Sequence, residues 1–166
     1  MLHYGSSYCL CIFKLVIMKK KIKVFILDDN RYFGKLVEDK VMADNRDVRY
    51  FNTEIELIQS LNEKPEILIL DHRLEYCTGL EILEVVKLKC GTSTNVIYLS
   101  AQEYLNITLK ALRNGAVEYV EKGITPLKYL NSVISKIERH TKNFSKPINL
   151  AKYRSDSRNY ESNPLN

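Results

Sequence analysis

The chain has no tryptophan, only four prolines, six glycines and four cysteines in 166 residues, and no uninterrupted apolar run of membrane-spanning length. So little Gly and Pro excludes collagen-like and low-complexity chains, and 45% hydrophobic residues excludes a wholly disordered one. Cys9, Cys11, Cys77 and Cys90 are too few and too scattered for a disulfide framework, so a reducing, cytoplasmic setting is expected. Cys9 and Cys11 have no second Cys/His pair at the spacing of a closed zinc site and read as small apolar residues. The apolar stretch at residues 8–18 is interrupted by Lys14, is followed rather than preceded by positive charge, and falls short of the ~20 residues a membrane helix needs. It is neither a membrane span nor an ordinary signal peptide, and no membrane partner is expected.

At ~150 residues per domain, the length allows one domain with appendages. The net charge of +5 sits at the two ends: residues 1–20 carry three lysines and no acid, and residues 141–166 carry five Lys/Arg against Asp156 and Glu161. The interior is close to neutral, so nucleic acid is not an expected partner of the folded part. Met18 opens MKKKIKVFILDDN, where a basic start leads straight into an apolar strand. The expected organisation is a non-native or disordered extension at residues 1–17 with translation starting at Met18, a folded domain at 18–140, and a polar, disordered tail at 141–166.

From Met18 on, the chain alternates. Short β-rich runs at Ile22–Leu27, Val48–Phe51, Ile67–Leu70, Val96–Leu99 and Val117–Val120 predict strands. Between and after them, helical spacing appears in Phe33, Leu36, Val37 and Val41, in Leu57, Ile58 and Leu61, in Leu80, Leu83 and Val86, in Leu105, Leu109 and Leu112, and in Leu127, Leu130, Ile134 and Ile137. Thr125 is the expected N-cap of the last helix, with Pro126 at its first position. Runs such as ILIL and VIYL have no polar face, which suits a parallel sheet covered on both sides. The predicted fold is α/β: a doubly wound (βα)5 open parallel sheet of flavodoxin-like order 2-1-3-4-5.

In such a sheet, ligands sit beyond the carboxyl ends of the strands. Asp28 and Asp29 end the first strand, Asp71 the third, Ser100 the fourth, and Glu121 and Lys122 the fifth. Carboxylates gathered at one rim repel one another unless a cation neutralises them. Mg²⁺ fits best, because it takes one or two carboxylates, keeps waters and leaves positions for phosphate oxygens. Lys122 and Ser100 can hold phosphoryl oxygens by charge and hydrogen bond. Asp71 follows the most continuous apolar strand and is the expected acceptor of a phosphoryl group. One Asp closing a strand into a turn is commonplace. The whole set at successive strand ends is not.

At these residues the sequence resembles the receiver domains of two-component response regulators, of the kind found in chemotaxis. VFILDD resembles their acidic pair, ILILDHRL the phosphoacceptor segment, YLSAQ the hydroxyl segment and NGAVEYVEKG the aromatic and lysine segment, in register over residues 21–140. The resemblance implies that Asp29 ligates Mg²⁺ directly, Asp28 mainly through water, and the main-chain carbonyl of Arg73 as well. It implies phosphorylation of Asp71 by a sensor histidine kinase or phosphotransfer protein, Ser100 and Lys122 on the phosphoryl oxygens, and Ser100 and Tyr119 as the switch. The output is then a downstream protein target at the face of helix four, strand five and helix five, with a homodimer on activation allowed. Two positions depart from the family, Glu75 and Gly123, where proline is usual.

The tail lacks the core of a DNA-binding effector domain, so a stand-alone receiver is expected, not an enzyme beyond its own phosphoryl transfer and dephosphorylation. The alternative is a phosphate-independent receiver-fold adapter. A haloacid-dehalogenase-type phosphatase wants Asp-x-Asp after its first strand, where Asp28-Asp29-Asn30 stands, and no G-x-G-x-x-G follows that strand for a dinucleotide. His72 beside Asp71 is expected to point away from it, and Cys77 and Cys90 to be ordinary packing or surface residues rather than redox sensors.

Overall fold

The computed structural model describes residues 20–101, 105–122 and 124–144. The expected extension at 1–17, Met18, Gly123 and the tail from residue 145 therefore lie outside the described residues. The elements are β1 (Ile22–Leu27), α1 (Arg31–Val41), β2 (Arg46–Phe51), α2 (Glu54–Ser60) with a 3-10 turn at Leu61–Glu63, β3 (Ile67–Asp71), α3 (Gly79–Cys90), β4 (Asn95–Ser100), α4 (Leu105–Arg113), β5 (Glu118–Glu121) and α5 (Ile124–Phe144). All four strand pairings are parallel, and the order is β2-β1-β3-β4-β5, as the continuous apolar strands predict.

Alternate strand residues face opposite layers. Phe25, Leu27, Leu68, Leu70, Val96 and Tyr98 point to one side, where Leu57, Leu83 and Val86 of α2 and α3 cover them. Val24, Ile26, Ile67, Ile69, Ile97 and Leu99 point to the other, beneath Val37 and Val41 of α1 and Leu130 and Ile134 of α5. Each fully buried Leu, Ile or Phe is worth about 1.5–3 kcal/mol, so the central strands anchor the domain. Thr53 and Asn30 cap α2 and α1, and Thr78 with Glu81 forms a capping box at α3.

The helix expected from Leu105, Leu109 and Leu112 forms as α4, with Ala111 fully buried and Leu109 and Leu112 42% and 41% exposed. Two expectations need correction. First, Val117 precedes β5 and is exposed. Second, α5 starts at Ile124, so Thr125 and Pro126 lie in its first turn rather than at cap and first position. Proline is tolerated there because the first four N–H groups of a helix have no intrahelical acceptor. That helix also runs to Phe144, four residues past the expected domain end at 140.

A buried polar cluster ties β2 to α5. Arg46 donates from Nε to Glu138 Oε1 (2.7 Å), and from Nη1 to the Val41 carbonyl (2.7 Å) and Asn131 Oδ1 (2.9 Å). Both charged side chains are buried, so the pair is matched by hydrogen bonds as a buried pair must be.

Candidate functional site

β1 and β3 are neighbours, and both end at the same rim. Asp28 and Asp71 are buried there, Asp29 is half-buried, and one carboxylate oxygen from each lies within 4.8 Å of the others. Lys122, at the end of β5, reaches across β4: its Nζ is 2.7 Å from Asp28 Oδ2 and 2.8 Å from Asp71 Oδ2. Backbone donors fix the remaining oxygens, with Asn30 N–H on Asp28 Oδ1 (3.0 Å) and His72 N–H on Asp71 Oδ1 (2.7 Å). Burial raises the Asp28 carboxyl to about 6, against the lowering pull of Lys122, and the neighbouring Asp71 charge adds to the rise. A carboxylate held near 6 is poorly solvated and is a ready partner for a cation.

The donor set is all oxygen, anionic and partly open through Asp29. That suits a hard divalent cation of the Mg²⁺ type and disfavours softer metals, which want sulfur or imidazole.

Ser100 ends β4, is buried, and sits in register with Glu121, while its carbonyl accepts from Lys122 N–H at 2.7 Å. Arg73 is exposed on the β3–α3 loop and bridges Thr78 where the loop doubles back. Tyr119 is half-buried on β5. The predicted set therefore falls into two groups: Asp28, Asp29, Asp71 and Lys122 in mutual reach, with Ser100 beside Lys122, and Arg73 and Tyr119 on the flanks. Glu75 is exposed and turns to Tyr76, whose phenol it pushes up.

Several contributors have no local signature in the sequence. The Lys122 ammonium lies 4.6 Å from the ring centroid of Phe33, which gives it a cation–π wall. Gly79 opens α3 against the end of β3, where a Cβ would stand 2.1 Å from the Asp71 carbonyl oxygen. His72 does turn from the acidic rim: its Nδ1 is 2.6 Å from the hydroxyl of fully buried Tyr98, whose ring stacks on Tyr119 with centroids 6.2 Å apart. Burial lowers the His72 pKa and raises that of Tyr98, which suits a neutral ring accepting from a phenol. The Cys77 thiol is pushed up to about 11 by burial and Glu54, and Cys90 is buried, as inert residues should be.

With this geometry in hand, the sequence matches the response regulator receiver domain family over residues 24–134, well over half of the chain. The chain belongs to that family. The receiver is 26% identical over 136 residues to a protein-glutamate methylesterase/protein-glutamine glutaminase of Pyrococcus horikoshii, covering 76% of this chain and 36% of that one. The chain thus spans about a third of the length of that curated relative. The response regulator domain of Thermotoga maritima CheB superimposes with a TM-score of 0.62 at 24% identity, over 72% of this chain and 96% of that one. The BeF₃-activated receiver domain of DrrB, a Thermotoga maritima OmpR/PhoB homologue, gives 0.63 at 26% identity, over 72% and 98%. This is a receiver of two-component signalling, of a family that generally binds Mg²⁺. No helix among the described residues is long and apolar enough to cross a membrane.

Proposed function

We propose that this receiver is a phosphorylation-dependent switch that accepts a phosphoryl group on Asp71 from a sensor histidine kinase or phosphotransfer protein in the cytoplasm. The observation that carries the reading is the convergence of Asp28, Asp29 and Asp71 on one small volume, with Lys122 bridging two of them. Asp28, Asp29, Asp71 and the Arg73 carbonyl would hold Mg²⁺. When bound, the ion offsets charge on the transferred group and orients it in line.

Asp71 is the nucleophile. Its carboxylate attacks phosphorus, an O–P bond forms as the donor P–N bond breaks, and the donor imidazole leaves with its electron pair. His72 N–H on Oδ1 keeps the carboxylate oriented, so that Oδ2, now shared with Lys122, is the oxygen nearest the incoming charge. Lys122 then balances the phosphoryl oxygens, and Ser100, on the next strand end, donates its hydroxyl to them. The pull on Lys122 and Ser100 biases Tyr119.

The output we propose is contact with a protein at the α4–β5–α5 face, by the receiver alone or as a homodimer. The exposed apolar residues Leu109 and Leu112 of α4, Val117 before β5 and Tyr129 of α5 support it, since exposed apolar surface can mark a contact site. The methylesterase and glutaminase activities belong to the longer relatives. For this receiver we propose no enzymatic activity beyond its own phosphoryl transfer and dephosphorylation.

The test is intact mass after incubation with acetyl phosphate and Mg²⁺, with Asp71→Asn and EDTA controls. A base-labile gain of one phosphoryl group, absent in both controls, is expected. No gain, with BeF₃⁻ and Mg²⁺ also leaving the protein's spectra unchanged, would replace this reading by a phosphate-independent adapter.

A further inference from the structure

We infer that Tyr50 is a positioning residue for the metal-ligating pair Asp28 and Asp29, an inference that rests on the reading of that pair given above. Tyr50 lies on β2 opposite Ile26 of β1. The β1 ladder ends at Asp28, whose N–H donates to the Phe51 carbonyl at 3.3 Å. The Asp28 carbonyl accepts from the Tyr50 hydroxyl at 2.8 Å. Asp28 is thereby held at three points: its N–H by Phe51, its carboxylate by the Asn30 N–H and Lys122, and its carbonyl by Tyr50. A fixed carbonyl fixes the plane of the peptide that joins Asp28 to Asp29, because that bond is planar. The direction in which Asp29 leaves the rim follows from it.

A second observation, on another element, points the same way. Gly34 stands inside α1, where glycine lowers helix stability. A Cβ at that position would lie 2.2 Å from Cε2 and 2.7 Å from Cζ of the Tyr50 ring. The missing side chain is the notch through which the ring crosses α1 to reach the Asp28 carbonyl. The Tyr50 hydroxyl also lies 2.7 Å from Asn52 Oδ1. A hydroxyl has one proton to give, so the Asp28 carbonyl and Asn52 Oδ1 share it as alternative acceptors. Burial and the Asp28 charge push the phenol up to about 12, so it stays a donor at working pH. Tyr50 touches no metal-ligating atom and acts through the backbone.

The test compares the full chain with Tyr50→Phe and Gly34→Ala. Mg²⁺ affinity is read by calorimetry, and amide exchange of Asp29 and Asn30 is followed in EDTA. The expected result is a weakening of Mg²⁺ binding by about ten-fold in each variant, the low end of outer-sphere effects, with faster exchange at those two amides. Exchange in β3 and β4 should stay as in the parent chain, which a general loss of stability would not allow. Gly34→Ala keeps the hydroxyl but displaces the ring, so the two variants report independently. Unchanged Mg²⁺ affinity in both folded variants overturns the inference. Absence of Mg²⁺ binding in the parent chain overturns the metal reading itself and is recognised before any variant is compared.

Discussion

Lys122 Nζ and Asp71 Oδ2 are 2.8 Å apart, and the same ammonium is 2.7 Å from Asp28 Oδ2, so one cation is shared by two buried carboxylates. The acidic rim therefore carries its own counter-ion. Any divalent ion or phosphoryl group that arrives must compete for it or reassign it.

Lys122→Met leaves those carboxylates facing each other without compensation. Removing one member of a buried pair costs about 3–5 kcal/mol, and the 14% exposure of the lysine favours the lower figure. We expect a loss of about 3 kcal/mol in urea unfolding at pH 7 in EDTA, largely recovered when Mg²⁺ is added. Equal losses with and without Mg²⁺ would mean that the lysine is not standing in for a cation.

Asp28 titrates at about 6 in the folded chain against 3.8 for the ordinary side chain. The native state then holds this proton more tightly than the unfolded one, so its contribution to stability is present at low pH and is lost as pH rises from about 4 to about 6. In EDTA the difference in stability between the parent chain and Asp28→Asn should shift across that window by up to about 3 kcal/mol, at about 1.4 kcal/mol per unit, and level above it. Mg²⁺ competes with the same proton, so its affinity should fall by up to tenfold per unit below pH 6. Titrations of Mg²⁺ at pH 5 and pH 7 check the sign.

Gly79→Ala places a methyl group 2.1 Å from the Asp71 carbonyl oxygen, a backbone atom that cannot swing aside. The end of β3 or the start of α3 must shift. A destabilisation of about 1–3 kcal/mol is expected, with slower phosphorylation by acetyl phosphate than in the parent chain. A folded variant labelled at the parent rate would show that the acceptor strand tolerates the shift.

Glu138→Ala strips Arg46 of its buried partner and leaves the guanidinium, among the described residues, with Val41 and Asn131. A loss of about 3–5 kcal/mol is expected by thermal or urea unfolding, far from the acidic rim. Mg²⁺ binding in the folded fraction should be untouched, which separates this cluster from the site.

Tyr98→Phe removes the hydroxyl on His72 but keeps the ring that stacks on Tyr119. Loss of one partly buried hydrogen bond is worth about 1 kcal/mol. A loss of that size in urea unfolding, with Tyr119 ring resonances little changed, would show that stacking rather than the hydrogen bond holds Tyr119.

The sheet was legible because its signals are local. ILIL and VIYL announce strands buried on both faces, and an Asp or Ser after each run marks where the strand leaves the core. The α4 helix was legible from its leucine spacing, but its buried face was not, since a leucine stripe looks alike whether it faces a core or solvent, and buried Ala111 adds nothing to the pattern. Tyr50 falls in an expected strand and Gly34 in an expected helix, but nothing local in the sequence pairs them, and only their contact gives either one a purpose.

What the sequence by itself determined is the order of elements, the parallel sheet and the polar residues at its carboxyl edge, because periodicity of two and of 3.6 is written residue by residue. What only the tertiary structure decided is who meets whom. Lys122 and Asp28 are 94 positions apart and Arg46 and Glu138 are 92 apart. Those pairings depend on side-chain reach and on the space left by Gly34, Gly79 and Ala111, which no run of neighbouring residues encodes.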